Sequence, residues 1–235
     1  MDIVFRKKGS PVRRPPWTRR VTAIASLGDE KRRQLFQLVA SSDTAVGRDD
    51  AADALGLPRS TASFHLDKLV QDGLLAVEFH KSAGRTGPGS GRPAKMYRPA
   101  ANEVNASVPD RNYDLAGELL AVAIEHSTST GEAVGDSLRM TSYRKGRELA
   151  AGAGSLTEFM AGEGYDPRPD GEGGLVLANC PFHRLSDGHP GVVCAMNGSF
   201  LRGAAAACGE PEDCVAPNSV QGQCCARIAG RGAPS

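Results

Sequence analysis

The chain has 235 residues, 40% of them apolar and 23% charged, a composition that suits a globular protein with room for two small domains. It has no run of about 20 apolar residues, which excludes a helical membrane span, and no apolar stretch follows Arg6, Lys7 and Lys8, which argues against a secretory signal; a cytoplasmic location is expected. The net charge of +1 hides an asymmetry: residues 1–98 carry 18 Lys and Arg against 10 Asp and Glu, whereas residues 99–235 carry 10 against 17. A basic half joined to an acidic half predicts one domain that faces nucleic acid and one that does not.

Residues 1–19 are rich in basic side chains and proline and lack apolar periodicity, so they read as a flexible basic arm able to touch phosphates or a minor groove. From Val21 the pattern turns helical. Leu27, Leu35, Leu38 and Val39 suit one buried face, and Asp29 is a candidate N-cap ahead of Lys31, Arg32 and Arg33. Residues 48–55 predict a short helix stopped by Gly56. Pro58 then opens a helix over 59–71 with Ala62, Leu66, Leu69 and Val70 inward. Residues 74–80 predict a strand, 81–94 a glycine-rich loop, and 95–98 the returning strand. Together, residues 20–98 read as a winged helix-turn-helix domain.

The helix over 59–71 has a polar front. Arg59, Ser60, Thr61, Ser63 and His65 supply donors and acceptors of the kind that read base edges in a major groove, and Lys68 further along suits a phosphate. The following loop carries Lys81, Arg85 and Arg92 among glycines, with Lys95 on the returning strand. Those cations fit phosphate or minor-groove contacts, and the glycines let the backbone come close. The expected partner is double-stranded DNA, bound by a homodimer, because two recognition helices match two half-sites about one turn apart.

Residues 99–112, with Pro99, Asn102, Asn105 and Pro109, read as a linker. Beyond it, residues 113–229 predict an α+β domain: helices over 113–127, 132–150 and 156–163, a strand over 175–177, a helix over 192–207, and a last strand over 224–228, with 230–235 a tail. The helices at 113–150 are the expected dimer interface. The fold class is therefore α+β, a winged helix-turn-helix domain followed by a sensor and dimerisation domain.

Residues 20–98 resemble an ArsR-type winged helix-turn-helix domain, most visibly in Ser26-Leu27-Gly28-Asp29-Glu30-Lys31-Arg32-Arg33 and in the hydroxyl-rich helix followed by a basic hairpin. The resemblance implies a transcriptional regulator. The metal-binding cysteines that the group carries near its N-terminus have no counterpart, because no cysteine precedes Cys180.

All six cysteines (180, 194, 208, 214, 224 and 225) fall in the C-terminal part of the chain. In a reducing compartment such clustering points to metal binding or redox chemistry, and thiolates suit iron–sulfur clusters, zinc or copper(I). Neighbouring strand side chains point to opposite faces, so one of Cys224 and Cys225 is expected to bind and the other to pack. His183 is a candidate fourth ligand, and Cys208 reads as a small buried hydrophobe. The run Asn179-Cys180-Pro181-Phe182-His183, a second thiol at Cys194 and the late Cys224-Cys225 doublet resemble the sensor region of the Suf-type iron–sulfur-responsive repressors, and are also similar to the V4R ligand-sensing domain. The first resemblance implies Cys180, Cys194 and Cys225 as ligands, with Cys224 competing for the last place, and an iron–sulfur cluster, possibly 4Fe–4S, as cofactor; zinc is the alternative. Cys208 and Cys214 have no place in that pattern.

These readings combine into a non-enzymatic, dimeric regulator, a repressor by resemblance, whose operator affinity follows a cysteine-ligated metal centre. One rival keeps the DNA-binding half and makes the metal a purely structural zinc. Another class of rival is a thiol enzyme with Cys180 as nucleophile, activated by His183.

Overall fold

Each half of the chain builds its own apolar core. The computed structural model describes residues 14–80, 93–100 and 103–230. Their contacts divide into a unit of Pro15–Ala106 and a unit of Ser107 onward that includes Arg14. The basic arm is described only from Arg14, and residues 81–92 and 231–235 lie outside the described set.

The N-terminal unit runs α1 (Trp17–Ser26), α2 (Glu30–Ala40), β1 (Val46–Gly47), α3 (Arg48–Leu55), α4 (Arg59–Gln71), β2 (Leu75–His80) and β3 (Ala94–Pro99). Local signals set most of these limits. The Asp29 carboxylate accepts the Arg32 N–H at 2.9 Å and so caps α2, a bond worth about 1 kcal/mol. Gly56 ends α3 at φ +60, and the Leu57 N–H then donates back to the Ala52 carbonyl at 2.9 Å, turning the chain toward α4. Leu35, Ala62, Leu66 and Leu69 meet Leu75 and Tyr97 of the sheet in a core closed to solvent.

Two features differ from the sequence reading. Helix α1 begins at Trp17, inside the segment expected to be an arm, because Ala23 and Arg20 are buried against the unit. Strand β1 went unforeseen; two residues have no periodicity of their own, and only pairing with β3 (Val46 with Tyr97, Gly47 with Met96) makes them a strand. β3 is central, with β1 and β2 antiparallel on either side.

The C-terminal unit runs α5 (Tyr113–Thr130), α6 (Val134–Ala150), α7 (Leu156–Gly162), β4 (Pro167–Pro169), β5 (Leu175–Leu177), α8 (His183–Gly188), α9 (Pro190–Ala207), a 3₁₀ turn at Glu212–Cys214, β6 (Val215–Pro217) and β7 (Ala226–Ile228). The sheet is antiparallel in the order β4-β5-β7-β6. Both edge strands contain proline, which lacks the N–H that a central strand must donate. Neither β4 nor β6 is among the strands expected from the sequence. Helix α9 is buried along most of its length and crosses α6 at a reciprocal pair of glycines. A Cβ on Gly146 would lie 2.0 Å from the Phe200 carbonyl oxygen, and one on Gly203 would lie 2.0 Å from the Tyr143 carbonyl oxygen.

The expected linker is divided between the units. Val104 packs on the N-terminal core and the buried Arg20 donates to the Asn105 carbonyl at 2.9 Å, so the chain up to Ala106 belongs to the first unit. No described helix is long and apolar enough to cross a membrane.

Candidate DNA-reading surface and thiol cluster

Helix α4 occupies 59–71, as its sequence predicts, with Ala62, Leu66 and Leu69 fully buried. The opposite face follows from helical spacing. Ser60, Phe64, Asp67 and Gln71 stand at i, i+4, i+7 and i+11, and Ser60, Phe64 and Gln71 are exposed. Arg59 is exposed at the N-terminal end, and Thr61 and Ser63 flank the face, half-buried. His65 is not on it. Its ring is only 12% exposed and stands 3.9 Å from the Asp29 carboxylate, because its position falls beside the buried stripe.

Among the described residues, the foreseen cations Arg59, Lys68 and Lys95 are matched by carboxylates. Arg59 makes a two-pronged pair with Asp49 of α3, at 2.5 Å from Nε and 3.1 Å from Nη2. Lys68 binds Asp72 one turn on, at 2.9 Å. Lys95 pairs with Asp67 and stands 5.2 Å from the Tyr97 ring centre. The Tyr97 hydroxyl donates to the same Asp67 carboxylate at 2.8 Å. Asp67 therefore fastens α4 to strand β3 of the wing. Burial works to raise its carboxyl, but the Lys95 and Tyr97 hydrogen bonds prevail and hold it below the ordinary range. Lys81, Arg85 and Arg92 lie outside the described residues.

Four of the six thiols lie in a line in the C-terminal unit, Cys194 beside Cys225, Cys225 beside Cys224 and Cys224 beside Cys180. Cys180 follows β5, Cys194 lies on α9, and the doublet precedes β7. The alternation expected of the doublet does not apply, because strand geometry begins only at Ala226. Both sulfurs face the fully buried Asn197, whose side-chain amide donates to Cys224 Sγ at 3.2 Å and to Cys225 Sγ at 3.6 Å. Asn197 is held in turn by the buried Tyr165 hydroxyl, which donates to its carbonyl oxygen at 2.5 Å.

The backbone around these thiols is tied down. Asn179 donates to the carbonyls of Asp110 at 2.9 Å and Gly164 at 2.5 Å, while the Pro181 carbonyl accepts the Asn112 N–H at 3.1 Å. Asn218 donates to the Cys224 carbonyl at 3.0 Å, and the Cys224 N–H donates to the Leu177 carbonyl at 2.9 Å. At the acceptor end of the line, the Cys180 thiol is held below the ordinary thiol range by the hydrogen bond from Cys224, against burial and with help from the Phe182 N–H. Cys224 is pushed up by donating to Cys180, and Cys225 by donating to Cys224 and by burial. Burial, then its bond to Cys225, raises Cys194.

Other candidates lie apart from the line. His183 opens α8, is half exposed, and turns its imidazole toward Asp187 at 3.7 Å. Cys208 follows the last residue of α9 and Cys214 ends the 3₁₀ turn; both are partly buried against the core. Cys208 is thus less enclosed than its alanine-rich surroundings predict. Among the described residues, no three His, Cys, Asp or Glu side chains converge as a group able to hold a metal ion. The donors themselves are of the kind a thiophilic centre takes: four sulfurs from three segments of the chain, with the Asn197 amide aimed at two of them.

Comparison with known proteins bears on the N-terminal unit. Residues 27–78, from the start of the α1–α2 turn into β2, match the family described as "Helix-turn-helix domain". These residues form a helix-turn-helix domain. No curated protein matches the chain. Among solved structures, the chain is similar to reduced HlyU from Vibrio cholerae N16961, with 22% identity and a TM-score of 0.28 over 37% of this chain and 78% of that one. The helix-turn-helix match ends at residue 78, short of every cysteine.

Two residues on the exposed face of α4 escape an inspection for hydrogen-bonding groups at its N-terminal end. Gln71 lies in the last turn, and Phe64 has no polar atom. The helical period carried enough signal to find both, since the buried Ala62, Leu66 and Leu69 fix the opposite side. Asn197 and Tyr165 carried no such signal. A lone Asn on a mostly apolar helix gains meaning only when folding brings Cys224 and Cys225 against it.

Proposed function

We propose that this chain is a sequence-specific transcriptional regulator that binds double-stranded DNA as a homodimer through α4 and the β2–β3 wing. In this reading the thiol cluster of the C-terminal unit controls operator affinity by holding a metal centre. The helix-turn-helix domain supports DNA binding, and the observation that carries it furthest is the exposed face of α4, fastened to the wing by Asp67 so that helix and wing can engage a duplex together. Exposed Ile124 on α5 and Val134 on α6 agree with a dimer interface on those helices.

For the centre, Cys180, Cys194, Cys224 and Cys225 would be the ligands, with Asn197 donating to two sulfurs. His183 is set aside because its ring faces Asp187. An iron–sulfur cluster bound there supplies a link sensitive to oxidants and iron supply, whereas zinc supplies a fixed one. Coupling is by linkage: a change at the thiols that favours the operator-binding form of the dimer raises DNA affinity, and DNA favours that state of the thiols by the same factor.

The test is anaerobic purification of the full chain with iron, sulfide and zinc analysis, followed by duplex selection and affinity measurement before and after metal removal. Stoichiometric metal that is lost in the Cys180→Ser, Cys194→Ser double variant, together with an operator affinity that shifts on metal removal, is the expected outcome. Full metal content in the double variant refutes the ligand set. A stable zinc content with unchanged affinity on removal refutes metal control.

A further inference from the structure

We infer that Phe64 is a base-reading residue that selects thymine, through its 5-methyl group, at one position in each operator half-site. This rests on the reading that α4 enters a major groove. Three observations lead to it. Phe64 is 65% exposed, although it lies on the central turns of a helix whose two leucines, Leu66 and Leu69, are fully buried. It stands opposite Ala62, Leu66 and Leu69, in the row Ser60, Phe64, Asp67, Gln71, and so in the middle of the outward face. The side chains around it form a shallow depression lined by Ser60, Ser63, Asp67, Lys68 and Gln71, a polar ring around one apolar centre.

The chemistry of the groove then limits the choice. Base edges there offer hydrogen-bond donors and acceptors, which a phenyl ring cannot answer, and one apolar group, the thymine methyl. Placing Phe64 against any other base edge would bury polar atoms without a partner, which is costly. Its ring is also steadied before binding: it meets the partly buried His65 ring edge-on, with centroids 5.2 Å apart. This gives His65 a role other than the direct base contact expected from sequence. His65 is a positioning residue for Phe64.

The experiment begins with selection of duplexes from a random pool by the full chain. Each thymine of the selected duplex is then replaced singly by deoxyuridine, which removes the methyl and keeps every hydrogen-bonding group. Affinity is measured for the native chain and for Phe64→Ala, whose exposed site makes loss of folding no obstacle. For the native chain, one position per half-site is expected to weaken roughly fourfold on loss of the methyl, the value of one buried apolar carbon. Phe64→Ala is expected to bind thymine and uracil duplexes equally at that position, and to select duplexes with no thymine preference there. Indifference of the native chain to every thymine-to-uracil change overturns the inference, as does undiminished discrimination in Phe64→Ala; in both cases DNA binding itself stands. Enrichment of no duplex at all overturns the DNA-binding reading and this inference with it.

Discussion

At the scale of single residues, the N-terminal unit sets carboxylates against three of the cations expected to face DNA. Arg59, Lys68 and Lys95 each face a carboxylate of the same unit, so the positive charge apparent in the sequence is partly neutralised where DNA would meet it. The pairs differ in what they do. Asp67 joins two elements and has a structural reason to stay. Asp49 lies on the exposed first turn of α3, and its pair with Arg59 is open to water on both sides. Exposed pairs of this kind are worth about 0.2–1 kcal/mol. Phosphate or guanine can replace Asp49 as the partner of Arg59, so Asp49→Asn is expected to tighten duplex binding by up to about fivefold and to steepen its salt dependence by up to one released ion. Affinity titrations at several salt concentrations check this; unchanged affinity and slope would place Arg59 away from the duplex. The pairing was invisible in sequence, because residues 49 and 59 are brought together only by the turn at Gly56.

At the scale of elements, the crossing of α6 and α9 is the tightest contact of the C-terminal unit. Gly146 and Gly203 each leave room for the other helix's backbone, and in both cases the atom a Cβ would strike is a carbonyl oxygen that cannot rotate away. Overpacking of this sort costs about 1–3 kcal/mol and occasionally more. Gly203→Ala is therefore expected to lower the melting temperature of the C-terminal unit by several degrees and to loosen the thiol cluster, since α9 carries Cys194 and Asn197. Thermal melting followed by circular dichroism, with thiol titration by a disulfide reagent, reports both. A melt like that of the native chain would show that the helices can part without cost. Helix α9 was legible as a helix from its composition. The reason for its glycines was not, because a glycine in a helical pattern has the same appearance whether it faces water or another backbone.

At the scale of the whole molecule, the two cores share no residue, and the chain passes from one to the other at Ala106 and Ser107. A fragment of residues 15–106 is expected to fold alone, with helical circular dichroism and one cooperative melt; a non-cooperative melt would mean that the first core depends on the second. The sequence by itself determined the helix-turn-helix domain, because its evidence is local: an Asp cap, a Gly stop, a Pro start, and apolar residues at helical spacing each act within a few residues. It also determined which part of the chain carries the sulfur. The tertiary structure alone decided which of those signals matter to the sites. It turned His65 inward and left Phe64 facing out, brought carboxylates to Arg59, Lys68 and Lys95, made edge strands of two proline-containing runs, and joined both doublet thiols to Asn197. The reason is that contacts between residues distant in sequence are set by how whole elements pack, and a local pattern fixes the faces of an element without naming what each face will meet.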